Sequence, residues 1–323
     1  MKAAKSISVP PEWLQSLPVH LVERCRCVTH AAPRMDREFV LYWMCTAVRS
    51  EENPALDVAC TIAVQLQRPL LIYHALSETY PYASDRHHMF ILQGARDVQK
   101  QLADRGLTYV FHLEQHGQRL DSLKLLADRA CVVVTEDMPT APARSFLNGL
   151  ASRTATSLLA VDTACIVPMQ LPGRAFERAF QFREATQRLY DERLSRPWPV
   201  CSSIPLAPVL SALSLPFSPV DLQSASLPAL IADCRIDHSV GPVVDTVGGT
   251  TAGLERWNAF RQHGLKRYAD RRNDPLIDGS SRMSAWLHYG MVSPLRIARE
   301  AAAAGGANPQ TLSPEMMAAF YAA

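Results

Sequence analysis

Between residues 38 and 162 the chain alternates short apolar runs with helical stretches, and this constrains the fold more than any other feature. Residues 39–45 (FVLYWMC) are apolar without interruption, which suits a strand buried on both faces. Asn53-Pro54 then opens a helix, Asn as N-cap and Pro at the first helical position, with Leu56, Ala59, Cys60, Ala63 and Leu66 at helical spacing. The pattern predicts strands over 69–76, 107–113, 131–135 and 157–162, and helices over 85–105 (closed by Gly106), 120–129 and 141–153. Strands separated by such helices imply βαβ crossovers and a parallel sheet. Right-handed crossovers make it a doubly wound, Rossmann-like α/β sheet. No G-x-G-x-x-G follows the first strand, so NAD binding is not expected.

The remainder reads differently. Residues 175–189 (AFERAFQFREATQRL) form one amphipathic helix, with Phe176, Ala179, Phe180, Arg183 and Gln187 marking its turns. Residues 197–242 are rich in Pro, Ser, Leu and Ala without a sustained period, and their leucines imply a connection wrapped on protein. Helical spacing resumes over 251–272, 281–289 and 294–304. The expected organisation is an N-terminal extension (1–37), an α/β domain (38–170), an amphipathic helix and connection (171–250), and the start of a helical domain (251–323). A length of 323 residues with 48% hydrophobic and 20% charged residues suits about two packed domains. No apolar run is long enough to cross a bilayer and residues 1–10 carry no signal h-region, so no membrane partner and a cytoplasmic location are expected. The eight cysteines include no C-x-x-C, which argues for reduced thiols over a zinc ribbon. His87 and His88, being adjacent on a helix, point to different sides and make no metal site. His288, beside Trp286 and Tyr289, reads as a packed structural histidine. A net charge of +2 means that any nucleic-acid surface is a local patch.

The most informative stretch is 268–294, YADRRNDPLIDGSSRMSAWLHYGMVSP. Asp278-Gly279 is a turn that feeds Ser280 and Ser281, hydroxyl residues suited to a helix N-cap. With Ser284 and Arg282 they could make an anion site, such as for a pyrophosphate, or only an ordinary capped helix.

The order of these residues resembles the FAD-binding signature of the DNA photolyase/cryptochrome family: a Tyr, an R-N-D-P turn, a Ser-Ser-x-x-Ser segment, then L-H-Y-G and S-P. Residues 40–56 (VLYWMCTAVRSEENPAL) and 84–94 (SDRHHMFILQG) are similar to the class II, deoxyribodipyrimidine photolyase branch. Residues 132–139 and 161–168 resemble that family's fourth and fifth strand ends. The resemblance implies a light-driven carbon–carbon lyase in which reduced FAD donates an electron to a cyclobutane pyrimidine dimer. It implies cofactor-binding roles for Tyr268, Ser280, Ser281, Arg282, Met283 and Ser284, and no catalytic side chain. It also implies contact of Arg272 with double-stranded DNA containing such dimers, with Lys266, Arg267 and Arg271 beside it on one long basic helix that carries Arg256 and Arg261. A second, antenna chromophore of unspecified identity and a monomeric state are further expectations. The similarity runs to about Arg299, and the family's following helix with its Glu and Trp is not found after Ala301. The chain therefore reads as truncated at its C-terminus, with weak or no flavin binding expected from it alone. The alternatives are a cryptochrome-like flavin photoreceptor without repair, and a non-catalytic remnant that binds a chromophore or nucleotide in the α/β domain.

Overall fold

A computed structural model describes residues 11–115, 121–208 and 213–304; the chain start, Leu120 and the tail from 305 onward lie outside the described residues. The strands are β1 (Cys25–Cys27), β2 (Phe39–Met44), β3 (Leu70–Ser77), β4 (Thr108–Glu114), β5 (Ala130–Glu136) and β6 (Ser157–Val161). They form one sheet in the order β1-β6-β5-β2-β3-β4. The five expected strands, β2 to β6, pair in parallel, and the winding turns at β2, which lies between β3 and β5. Two short helices, α1 (Glu12–Gln15) and α2 (Val19–Val22), precede the sheet, and α3 (Pro54–Gln65), α4 (Asp85–Asp104), α5 (Ser122–Arg129) and α6 (Ala143–Ala151) join its strands.

Every residue of β2 is buried, as a strand covered on both faces requires. Alternate side chains enter opposite cores. Val40, Tyr42 and Met44 pack with Leu56 of α3 and Leu92 of α4. Phe39, Leu41 and Trp43 pack with Leu126 of α5 and Leu147 of α6. Asn53 caps α3 as its sequence suggested, its side-chain oxygen accepting from the Ala55 and Leu56 N–H groups at 3.1 and 3.2 Å.

One strand was not legible. β1 lies antiparallel to β6, inside the stretch 1–37 expected to be an extension. Cys-Arg-Cys has no apolar alternation to reveal it. Arg26 fixes its place by gripping Asp137, just past β5, with two hydrogen bonds of 2.6 and 2.7 Å.

Among its described residues, the 197–242 connection lies on protein. It passes around the β4 edge, where the Val220 N–H donates to the Phe111 carbonyl at 2.9 Å, so this edge is covered. Phe217 stacks on His112 on one face, while Leu222 and the short helix α8 (Leu227–Ala232) pack in the core on the other. Arg96 of α4 holds this turn by donating to the Leu222 and Ala225 carbonyls.

The helices at 175–189 and 251–272 differ from expectation. The first is α7, Ala179–Leu194, and it buries Thr186, Tyr190 and Leu194; Phe180 and Phe182 are 50% and 40% exposed. The second ends early, as α9 (Thr250–His263), because Gly264 interrupts it. A 3-10 turn (Leu265–Arg267) and the single-turn α10 (Tyr268–Arg271) follow. The last helices are α11 (Ser284–His288) and α12 (Pro294–Ala304). Trp257, Trp286, Met291 and Ile297 of this part share one continuous core with α3 and α4.

In an open α/β sheet the crevice beyond β2 and β5, where the winding reverses, is the usual ligand position. Here protein fills it. Glu136 is buried and accepts from the Tyr42 hydroxyl at 2.6 Å and the Cys45 N–H at 3.0 Å, and burial pushes its carboxyl up. Arg49, also buried, donates to the carbonyls of Gly290, Thr163 and Glu52 at 2.9, 2.8 and 3.1 Å. The turn after α11 reaches this crevice only because residue 290 is glycine: its φ is +61°, and a Cβ there would lie 1.9 Å from the Thr46 carbonyl oxygen.

Candidate functional site: an aromatic cleft beside the serine loop

Helix α9 buries Thr250, Gly253, Trp257 and Phe260, one stripe at three- to four-residue spacing. Its inner end is tied to α12 through Glu300, which accepts from the Trp257 indole at 2.8 Å, Arg261 at 3.0 Å and Arg296 at 2.9 Å. Burial pushes the Glu300 carboxyl up, but these partners outweigh it and the net shift is downward. After α10 the chain turns back on itself. The Asp278-Gly279 turn lies against the end of α10, where a Cβ on Gly279 would meet the Arg271 carbonyl at 2.5 Å. Arg256 of α9 then holds the serine loop by its backbone, donating to the Ser281 carbonyl at 2.9 Å and the Ser280 carbonyl at 3.5 Å. The Ser281 hydroxyl oxygen accepts from the Met283 N–H at 3.4 Å, which leaves its own O–H to donate.

These parts form one wall of a cleft of about 840 Å³. Trp257, Phe260, Leu265, Tyr268, Ser281 and Met283 line that wall, with Pro294 and Ile297 of α12. The opposite wall is the loop after β6, from Ala164 to Arg178, together with Phe182, Thr186 and Tyr190 of α7. Phe176 and Phe182 meet edge to face at 5.5 Å, and the Arg174 guanidinium lies 4.8 Å from the Phe176 ring centre. Tyr268 stands edge-on to Phe260 at 5.8 Å. The cleft is thus mostly apolar and aromatic, with hydroxyls on both walls and with Arg174, Arg178 and the single carboxylate Glu177 together in the loop after β6.

The residues singled out in the sequence divide. Tyr268, Ser281 and Met283 line the cleft. Ser280 is exposed and contributes its carbonyl to Arg256. Arg282 has a φ of +55° and pairs with Asp278 at 3.0 Å, outside the cleft lining. Ser284 opens instead into a second cleft of about 830 Å³, lined by Tyr80, Phe90, His288 and Tyr289. The expected serine N-cap is not made: α11 starts at Ser284, Met283 holds the cap position, and no side chain caps it. His288 is exposed, resting against Tyr289 at 4.9 Å, because this end of α11 faces the second cleft rather than the core.

The basic helix is also redistributed. Arg256 and Arg261 are engaged internally. Lys266 and Arg267 are exposed on the 3-10 turn, and Arg271 and Arg272 are half-buried at the end of α10, where the Arg272 guanidinium lies 5.9 Å from the Tyr268 ring centre. Sequence reasoning missed Trp257, Phe182 and the loop-holding role of Arg256. Phe182 carried a signal, standing four residues before Thr186 and eight before Tyr190 on one stripe of α7. Arg256 carried none.

A sequence profile of the DNA photolyase family matches residues 40–189. The deoxyribodipyrimidine photo-lyase of Methanothermobacter thermautotrophicus is 30% identical over 285 residues, covering 88% of this chain and 60% of that protein. Residues 40–189 thus match the DNA photolyase family, and the similarity to these lyases extends over most of the chain. The deoxyribodipyrimidine photo-lyase of Potorous tridactylus is 25% identical over 279 residues, 85% of this chain and 50% of that one. The chain thus spans half to three-fifths of the length of these relatives. Among solved structures, a bacterial class III photolyase from Agrobacterium tumefaciens superposes with a TM-score of 0.57 at 17% identity, over 89% of this chain and 57% of the other. An archaeal photolyase from Sulfolobus tokodaii, solved with two FAD molecules, gives 0.54 at 14% identity over 87% and 57%. At these identities the likeness is one of fold. Among the described residues no helix is long and apolar enough to cross a membrane.

Proposed function

We propose that this chain provides the α/β domain and one part of the flavin site of a light-driven DNA-repair lyase of the deoxyribodipyrimidine photo-lyase type. The observation that carries the reading is that Tyr268 and Ser281, from two separate turns of the photolyase-like signature, line one aromatic cleft. The donor set suits FAD. The apolar and aromatic lining, with Phe182 and Phe260, would hold a flat ring system, and the Ser281 hydroxyl, Tyr268 and the loop arginines would be donors of the kind a pyrophosphate needs. Bound there in its reduced form, FAD supplies light absorption and an electron for splitting a cyclobutane pyrimidine dimer. The chain's own residues bind and orient. Arg256 fixes the serine loop, Gly279 allows its close turn, and the apolar walls exclude water from the ring. The class II assignment rests on the 40–56 and 84–94 stretches. For a second, antenna chromophore the receptacle of matching size is the other cleft, beside Tyr80 and His288. A monomeric cytoplasmic protein is part of the same reading.

Equilibrium dialysis against FAD in the dark tests it. Uptake is expected to saturate toward one FAD per chain, with a dissociation constant of roughly micromolar or weaker because the cleft is open on one side. Uptake that never saturates contradicts the reading.

Duplex DNA is the proposed partner, and Lys266, Arg267, Arg271 and Arg272 are the side chains that would meet its phosphates. Binding is then expected to fall steeply with salt, because each neutralised phosphate releases counterions. Arg272→Glu should weaken binding to damaged and undamaged duplexes alike, by roughly tenfold, since phosphate contacts position without reading the lesion. Fluorescence anisotropy at two salt concentrations checks this. A flat salt response, or unchanged binding by Arg272→Glu, would mean that the patch is only a solvated surface.

A further inference from the structure

The segment after α7 is fastened to α3 by side-chain contacts. The Trp198 indole donates to the Asp57 carboxylate at 2.8 Å, and the hydroxyls of Ser203 and Thr61 meet at 3.4 Å. Between these two ties lies Cys201, whose sulfur is 4.0 Å from the Asp57 carbonyl oxygen and which packs against the same core as α3. Cys60 stands on α3 between Asp57 and Thr61, the two positions that these ties hold against the segment carrying Cys201. Both cysteines are free. Cys60 is fully buried, and Cys201 is only half-buried and so can be reached by a small reagent.

We propose that Cys60 and Cys201 are a redox pair which closes into a reversible disulfide on exposure to a small-molecule disulfide such as oxidised glutathione, stapling the connection to α3. The chemistry of the two sulfurs is asymmetric in the required sense. Cys60 as a hydrogen-bond partner pulls the Cys201 thiol down to about 6 against the upward push of burial, with further help from Ser203 and the Arg105 charge, which favours its thiolate. The same bond, with burial, pushes the Cys60 thiol up. Cys201 is the attacking sulfur and Cys60 the resolving one. The Cys201 thiolate attacks one sulfur of oxidised glutathione, breaking that S–S bond and expelling a glutathione thiolate. Cys60 gives its proton to that thiolate and attacks the Cys201 sulfur, expelling the second glutathione thiolate, which takes a proton from water. Two protein thiols are oxidised, and one glutathione disulfide is reduced to two thiols.

The staple would close a long loop, and such cross-links stabilise chiefly by restricting the unfolded chain. The test treats the full chain with oxidised glutathione, alkylates what remains free, and maps the peptides under non-reducing conditions. The expected product is a Cys60–Cys201 linked peptide, with the other six cysteines alkylated. The unfolding midpoint of the oxidised protein should rise by roughly 3–8 °C and return on reduction, and Cys201→Ser should show neither change. A stable glutathione adduct on Cys201 with Cys60 still alkylated would overturn the proposal. So would linkage of either cysteine to a different partner.

Discussion

Gly290→Val is expected to destabilise the protein by at least about 3 kcal/mol, the cost of overpacking at a site that cannot yield. The added Cβ overlaps backbone rather than a flexible side chain: the Thr46 carbonyl oxygen would lie 1.9 Å away and the Ala47 Cα 2.8 Å away. The φ of +61° adds a second penalty, since a β-branched residue is strongly disfavoured there. Relief requires the turn after α11 to lift from the sheet, and with it Met291 and Trp286, which belong to the shared core. Thermal unfolding should report a midpoint lower by roughly 6–12 °C. A midpoint within about 1 °C of the parent would mean that this turn is not seated in the crevice.

Arg49→Met is expected to be comparably severe, about 3–5 kcal/mol, by a different route. The guanidinium joins three separate segments, through the carbonyls of Glu52, Thr163 and Gly290. Burial pulls its pKa down, and the nearby Tyr42, Glu136 and Glu52 oppose that pull. Methionine matches the length but leaves two buried carbonyls and one partly buried carbonyl without this donor, and removes a positive charge that compensates the buried Glu136. Arg49→Lys should not rescue, because an ammonium cannot reproduce the planar fork that spans these acceptors. Chemical denaturation of the two variants checks this, and a lysine variant as stable as the parent would contradict it.

How much of this was legible follows from the range of the forces involved. β2 to β6 were readable because strands buried on both faces are continuous, largely apolar runs. Asn53-Pro54 was readable because capping is settled within four residues. β1 was not, because Arg26 and Asp137 are far apart in sequence and Cys-Arg-Cys has no pattern of its own. The face of α7 was misjudged because its inward stripe, Phe182, Thr186, Tyr190 and Leu194 at four-residue spacing, mixes polar and apolar residues, and the first three of these line the cleft. The serine loop was visible as a motif. Which serine faces the cleft was not, because Arg256 and Asp278 decide how the loop is presented, and spacing alone does not show those contacts.

That last distinction supplies the most direct test of the flavin assignment, an FAD titration of three single variants beside the parent. Ser281→Ala removes a hydroxyl that lines the cleft, and Tyr268→Ala removes part of its wall; each should weaken FAD binding by roughly tenfold or more, the worth of about 1.5 kcal/mol or above. Ser284→Ala lies in the same signature but faces the other cleft, and should leave the affinity within about twofold of the parent. Equal losses in all three variants, or a loss confined to Ser284→Ala, would contradict the placement of the flavin between α7 and the serine loop.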